Sequence, residues 1–120
     1  GPYLVYSTIR MNSVLNKAKE KEISFSKYNF ISDETEKELI LLLLRKEEIL
    51  KKSYETKELN PLTDYLYQLT SMYNRFYEKN YILTETEEKK QESWLILTEI
   101  VKDTNVELLN LLGIEIPEKM

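Results

Sequence analysis

The stretch NPLTDYLYQLTSMYNRFYEK, residues 60 to 79, decides the fold. Asn60 reads as a helix cap and Pro61 as the first helical position, where a missing N–H costs nothing. Leu62, Leu66, Leu69, Tyr73 and Phe76 then recur every three or four residues, which is one apolar face of a helix. The same signals spread outward along the chain. Asp33 followed by Glu36 forms a cap with its reciprocal partner, opening a helix from about residue 34 to 45. The run RKEEILKKSYETKE continues it as a third helix or a bent extension, with no marked break. Thr84 and Glu87 make a T-x-x-E box that opens a last helix carrying Trp94, Leu97, Val101, Leu108, Leu111 and Leu112. Gly113 stops that helix, and IEIPEKM follows as a short extended tail. Between the first two helices, ISFSKYNFIS, residues 23 to 32, breaks the period. It reads as a loop whose Phe25, Tyr28 and Phe30 fold back on the core.

Composition agrees with an all-α reading. Two Gly and three Pro in 120 residues leave little turn chemistry for a sandwich or barrel. One domain, residues 1 to 120, is expected from the length. The absence of Cys and His removes thiol nucleophiles, imidazole bases and most transition-metal sites. The longest apolar run, residues 39 to 44, falls far short of the ~20 residues a membrane crossing needs. With no leader or lipidation motif visible, the cytoplasm is the expected location. A net charge of −4 argues weakly against a sequence-indifferent nucleic-acid binder, and no DNA partner is expected. Yet residues 1 to 30 hold five basic side chains against two acidic ones. A polyanion should therefore meet the first helix.

That helix, from Pro2 to about Glu22, carries two stripes. With Tyr3 at zero and about 100° per residue, Leu4, Met11, Val14, Leu15 and Ala18 fall on one coherent core face. Tyr3, Tyr6, Arg10 and Ser13 fall on a second stripe that the core does not explain. Tyrosine rings and a guanidinium suit single-stranded RNA, stacking on unpaired bases and pairing with phosphate. Spacing alone also suits half-buried tyrosines beside a surface arginine.

The residues carry a resemblance. GPYLVYSTIRMNSVLNKA is similar to the opening P-Y-L-x-Y-x-x-x-R-x-x-S-I/V-L of the C-terminal anticodon-binding domain of arginyl-tRNA synthetases, a DALR-type helical bundle. Pro2, Tyr3, Leu4, Tyr6, Arg10, Ser13, Val14 and Leu15 match. PLTDYLYQLTSMYNRFYEKNYIL resembles a second block of that family through Pro61, Tyr65, Leu66, Tyr67, Leu69, Asn74, Phe76, Tyr77 and Leu83. LLNLLGIEIPEKM resembles its ending through Leu109, Leu111, Leu112, Gly113, Ile114, Pro117 and Met120.

The resemblance implies an antiparallel bundle of about five helices. It implies the C-terminal part of a class I synthetase that charges tRNA with arginine using ATP, with Mg, in a catalytic domain elsewhere in the same chain. The present residues would supply no catalytic group, metal ligand or cofactor of their own. Their partners would be the anticodon arm of arginine tRNA isoacceptors and that catalytic domain. By the same resemblance, Tyr3, Tyr6 and Arg10 meet the anticodon loop, with Ser13 a turn further on. Tyr73 and Tyr77 face the same loop, and Met120 ends near the RNA. Spacing by itself places Tyr73 on the apolar face of its helix and Tyr77 at its edge. The family often has an arginine where Trp94 stands and a glycine where Leu108 stands.

Other classes stay on the table. An independent enzyme would have to work with carboxylates alone, and none are focused on one apolar pocket. A helical protein-interaction bundle would use the tyrosine-rich helix against a partner. RNA binding weakens steeply with salt, whereas a largely apolar protein contact does not. The anticodon domain of a related synthetase, such as the cysteinyl type, is the nearest relative of the reading.

Overall fold

The computed structural model describes residues 2 to 117, and Met120 lies outside them. Among these are five α-helices: α1 (Pro2–Glu20), α2 (Glu34–Leu43), α3 (Lys46–Thr56), α4 (Asn60–Lys79) and α5 (Glu88–Leu111). A short 3-10 turn (Ile82–Thr84) links the last two. The helix α4 touches each of the other four, because its Leu62, Tyr65, Leu66, Leu69, Tyr73 and Phe76 face is fully buried. Contacts across the bundle set the directions. Tyr65 donates to the carbonyl of Leu42, and Tyr73 and Thr70 meet α5 at Thr98 and Asn105, so α4 opposes α2 and α5. Tyr3 meets Tyr67 while Arg10 meets Tyr77, so α1 and α4 run the same way. The chain thus alternates direction, with α2 and α3 forming one bent arm.

Three helix boundaries differ from expectation for local reasons. Leu59, not Asn60, caps α4: it is already helical at φ −88° and ψ −15°, and its carbonyl accepts from Leu62 and Thr63 N–H groups. Asn60 is therefore inside the helix, and Pro61 still sits in the first turn, where its missing N–H is harmless. Thr84 and Glu87 form no capping box. The 3-10 turn ends at Thr84 and Glu85 is extended, so α5 begins only at Glu88, with Glu87 as a cap that makes no side-chain bond. The break between α2 and α3 falls at Leu44 and Arg45, whose N–H groups bond back to Ile40, Leu42 and again Leu42. Both residues stay in right-handed helical space, so no glycine or proline marks the bend.

Other ends match the sequence. Asp33 accepts from the Glu36 N–H at 2.8 Å, as an N-cap should, while the expected return bond falls one residue earlier, the Glu36 carboxylate accepting from the Ser32 N–H. Gly113, at φ +82°, closes α5 with paired bonds from its own N–H to Asn110 and from Ile114 to Leu109. That pairing is the reciprocal C-terminal cap for which glycine is favoured. Leu108 is fully buried in the core, while Leu111 is exposed.

Glu36 is buried completely. A lone buried carboxylate is prohibitive, and this one gathers donors instead. Tyr28 donates its hydroxyl, Ser32 its N–H at 3.0 Å and its hydroxyl at 2.7 Å, and Trp94 its indole N–H at 3.2 Å. The Trp94 ring also packs edge-on against Phe76 at 6.1 Å. Burial, reinforced by the bond to Glu36, pushes the Tyr28 phenol well above its usual pKa. Residues 23 to 32 are shaped by these bonds, and by Glu92, which accepts from the N–H groups of Ser26 and Lys27. Phe25 and Tyr28 pack against the core as expected, but Phe30 points outward at 38% exposure. The loop spends its inward positions on reaching Glu36 and α5.

The backbone N–H of Ser26, then the Asn29 amide and the Lys27 N–H, hold the Glu92 carboxyl below its usual range. Burial raises the Asp33 carboxyl, but the Glu36 N–H, the Thr35 hydroxyl and the Asn80 amide outweigh it, and the net shift is downward. Both folded pKa values lie below the unfolded ones of about 4. Their stabilisation is therefore present at neutral pH and is lost as pH falls through the lowered folded values. Thermal melts from pH 7 downward should decline more shallowly below pH ~4 for Glu92→Gln and Asp33→Asn than for the parent chain. Asparagine keeps the cap, so an unchanged acid slope in Asp33→Asn would remove Asp33 from this account.

Candidate nucleic-acid interface

The second stripe of α1 faces a polar stripe of α4. Tyr3 and Tyr6 are 42% and 52% exposed, Arg10 is exposed, and Ser7 beneath them is buried. Asn74 of α4 joins three of these side chains. Its amide donates to the Tyr3 hydroxyl at 2.9 Å and to the Ser7 hydroxyl at 3.2 Å, and its carbonyl oxygen accepts from Arg10. Tyr3 also stacks on Tyr67 with centroids 6.2 Å apart and planes within 5°. An open groove results, lined by Tyr3, Tyr6, Ser7, Arg10, Asn74 and Glu78.

Aromatic packing extends from this groove into the core. The Arg10 guanidinium carbon lies over the Tyr77 ring, 5.1 Å from its centroid. Tyr77 stacks on Tyr73 at 6.1 Å and 23°. Thr98 donates its single hydroxyl hydrogen to the Trp94 carbonyl, so Tyr73 must be the donor in its 2.9 Å bond to Thr98. Tyr73 is only 1% exposed, and burial pushes its phenol pKa up.

The structure thus brings Tyr3, Tyr6 and Arg10 to one groove, sets Tyr77 half-buried beneath Arg10 and outside the groove lining, and withholds Tyr73 from the surface. Tyr73 belongs to the core and backs Tyr77; it does not face a ligand, which corrects the surface role that the resemblance implied. Ser13 is half-buried and outside the groove lining. Tyr65 is also core, its phenol pushed up to about 12 by burial. Asn74, Tyr67, Ser7 and Glu78 were not foreseen as site residues. Their signal was present in part: Tyr67, Ser71, Asn74 and Glu78 repeat at helical spacing on α4 and avoid its apolar face.

No group of three or more His, Cys, Asp or Glu among the described residues could hold a metal ion. None of their helices is long and apolar enough to cross a membrane. The groove offers stacking faces, amide and guanidinium donors and one carboxylate, which is recognition chemistry.

Likeness to solved structures defines the class. The fold superimposes over its whole length on 21% of Thermus thermophilus arginyl-tRNA synthetase, with a TM-score of 0.82 and 29% identity. A Campylobacter jejuni protein described as a putative arginyl tRNA synthetase shares the fold at TM-score 0.82 and 23% identity, over 98% of this chain and 26% of that one. The chain is an all-α bundle of the kind built into these synthetases. The profile of the DALR anticodon binding domain matches residues 4 to 120, and the chain belongs to that family. Arginine–tRNA ligases of Alkaliphilus oremlandii and Halothermothrix orenii are 36% and 33% identical to it over its whole length. The chain spans about a fifth of those relatives, 21% of each.

Tyr73→Phe removes one buried hydrogen bond while leaving Thr98 its other partner, so it should cost about 1 kcal/mol in urea unfolding. Affinity for any ligand of the groove should stay unchanged. A loss of ligand affinity without loss of stability would return Tyr73 to the surface role.

Proposed function

We propose that this chain is the anticodon-arm recognition domain of an arginyl-tRNA synthetase, the ATP-dependent ligase that charges tRNA with arginine. The observation that carries the reading is an aromatic and arginine groove on a chain that belongs to the anticodon-binding family and whose whole length matches a fifth of the arginine–tRNA ligases. In this reading residues 1 to 120 are a single domain at the C-terminal end of a longer protein that works in the cytoplasm. The partners are the anticodon arm of arginine isoacceptors and the catalytic domain of the same protein, where ATP with Mg is bound. The domain itself catalyses nothing. Its contribution is to hold the anticodon loop on Tyr3, Tyr6, Arg10 and Tyr77, with Ser13 and Met120 as flanking contacts.

The mechanism follows from the groove. Tyr6, more than half exposed and beside Arg10, offers a ring face to an unstacked base. Arg10 brings a guanidinium already ordered by Asn74, so little rotamer freedom is lost when RNA arrives. Lys17, two turns beyond Arg10 on the same face of the helix, is the basic residue best placed for a neighbouring phosphate.

The test is binding of the chain to a fluorescent anticodon stem-loop of an arginine tRNA, beside one with a different anticodon, at two salt concentrations. The expected result is preference for the arginine loop, weakened by salt. Tyr6→Ala should cost about 1–3 kcal/mol of affinity, with circular dichroism unchanged. Equal binding of both loops, or an unaffected Tyr6→Ala, would sink the reading of this groove.

A further inference from the structure

The hydrogen bonds of Asn74 fix more than its own position. Both terminal guanidinium nitrogens of an arginine are donors only, so the Asn74 carbonyl oxygen must face Arg10. Its NH2 group is then turned to Tyr3 and Ser7, whose hydroxyl oxygens accept. The amide orientation follows from chemistry, and with it the placement of Arg10. The same arginine lies over Tyr77, and Tyr77 lies over buried Tyr73. A stack therefore runs from the core through Tyr73 and Tyr77 and ends with the Arg10 guanidinium carbon over the Tyr77 ring, the arginine itself being exposed in the groove.

We infer that Arg10 is the outer layer of this stack, that Asn74 is the residue positioning it, and that an unpaired nucleobase forms the next layer. The inference rests on the RNA reading above and assigns to Arg10 a stacking role in place of a phosphate clamp. Three observations favour a base over a phosphate. Asn74 already occupies part of the guanidinium's hydrogen-bonding edge. The Arg10 guanidinium carbon already lies over one aromatic ring, that of Tyr77, and guanidinium planes stack on splayed bases. Glu78 lines the same groove; its carboxylate repels a phosphate but accepts from a base's exocyclic amino group.

A double-mutant cycle on the 120-residue chain separates this from a structural role. The probe is an anticodon stem-loop carrying 2-aminopurine at one unpaired loop position at a time. Asn74→Ala should weaken binding about tenfold, a size usual for coupled contacts, and should change it less than about twofold when Arg10→Ala is already present. Asn74→Gln, which keeps a neutral carbonyl acceptor for Arg10, should recover part of the loss, while Asn74→Leu should not. One loop position should show a change of 2-aminopurine fluorescence on binding the parent chain that is lost in both alanine variants. A merely structural Asn74 would lower the melting temperature and weaken binding alike in both backgrounds, which would overturn the inference. So would parent binding with no loop position whose fluorescence responds. Failure of the parent chain to bind any loop would instead overturn the RNA reading itself.

Discussion

The buried amide of Asn105 sets the register on which the rest of the bundle depends. It donates one hydrogen to Thr8 of α1 at 3.1 Å and another to Thr70 of α4 at 3.0 Å. Thr8 passes its own hydroxyl hydrogen to the Leu4 carbonyl. An apolar interface tolerates sliding at modest cost, but buried donors stripped of acceptors cost about 1–3 kcal/mol each. Three helices are therefore held at one relative height. Asn74 stands one turn beyond Thr70, and Ser7 and Arg10 flank Thr8. The surface hub is the same register read four residues along.

A second polar anchor lies at the other end of the aromatic packing. Glu36 takes the Trp94 indole N–H, Trp94 packs edge-on against Phe76, Phe76 tilts against Tyr73 at 5.8 Å, and Tyr73 supports Tyr77 under Arg10. A row of rings thus joins a buried carboxylate to an exposed guanidinium. Rings with few rotatable bonds make a stiff support. Trp94 supplies both a link in that row and a donor to Glu36. A charged side chain there would have given the donor without the ring.

Much of this was legible in the sequence. The apolar periods of α1 and α4 gave the core faces, and the angular gap between the two stripes of α1 singled out Tyr3, Tyr6 and Arg10. What escaped was set by tertiary register. Asn60, Thr84 and Glu87 have capping chemistry, but whether a cap forms depends on backbone angles fixed by neighbours: a helical Leu59 in one case, an extended Glu85 in the other. The bend at Leu44 and Arg45 uses ordinary helical dihedrals and leaves no mark in composition. Asn74 reads as a polar residue in a helix until α1 is placed against it. Tyr73 matched a family position, yet its periodicity with Leu66, Leu69 and Phe76 was the better guide.

Charge follows the same geometric logic. The chain is acidic overall at −4, and five of its 21 acids stand where helix dipoles favour them: Glu34 and Glu36 open α2, Glu47 and Glu48 open α3, and Glu88 opens α5. The first turn of α1 holds no acid, and its last turn carries Lys17 and Lys19, where cations are favoured. The preference that stabilises these helix ends therefore also biases where charge falls on the surface. A polyanion is turned away from the starts of α2, α3 and α5 and admitted along α1, the helix that bears the tyrosines and Arg10. An acidic domain can in this way present a groove suited to RNA: what matters is which helix carries the cations, since exposed charges farther away than about 8–10 Å are largely screened at physiological salt.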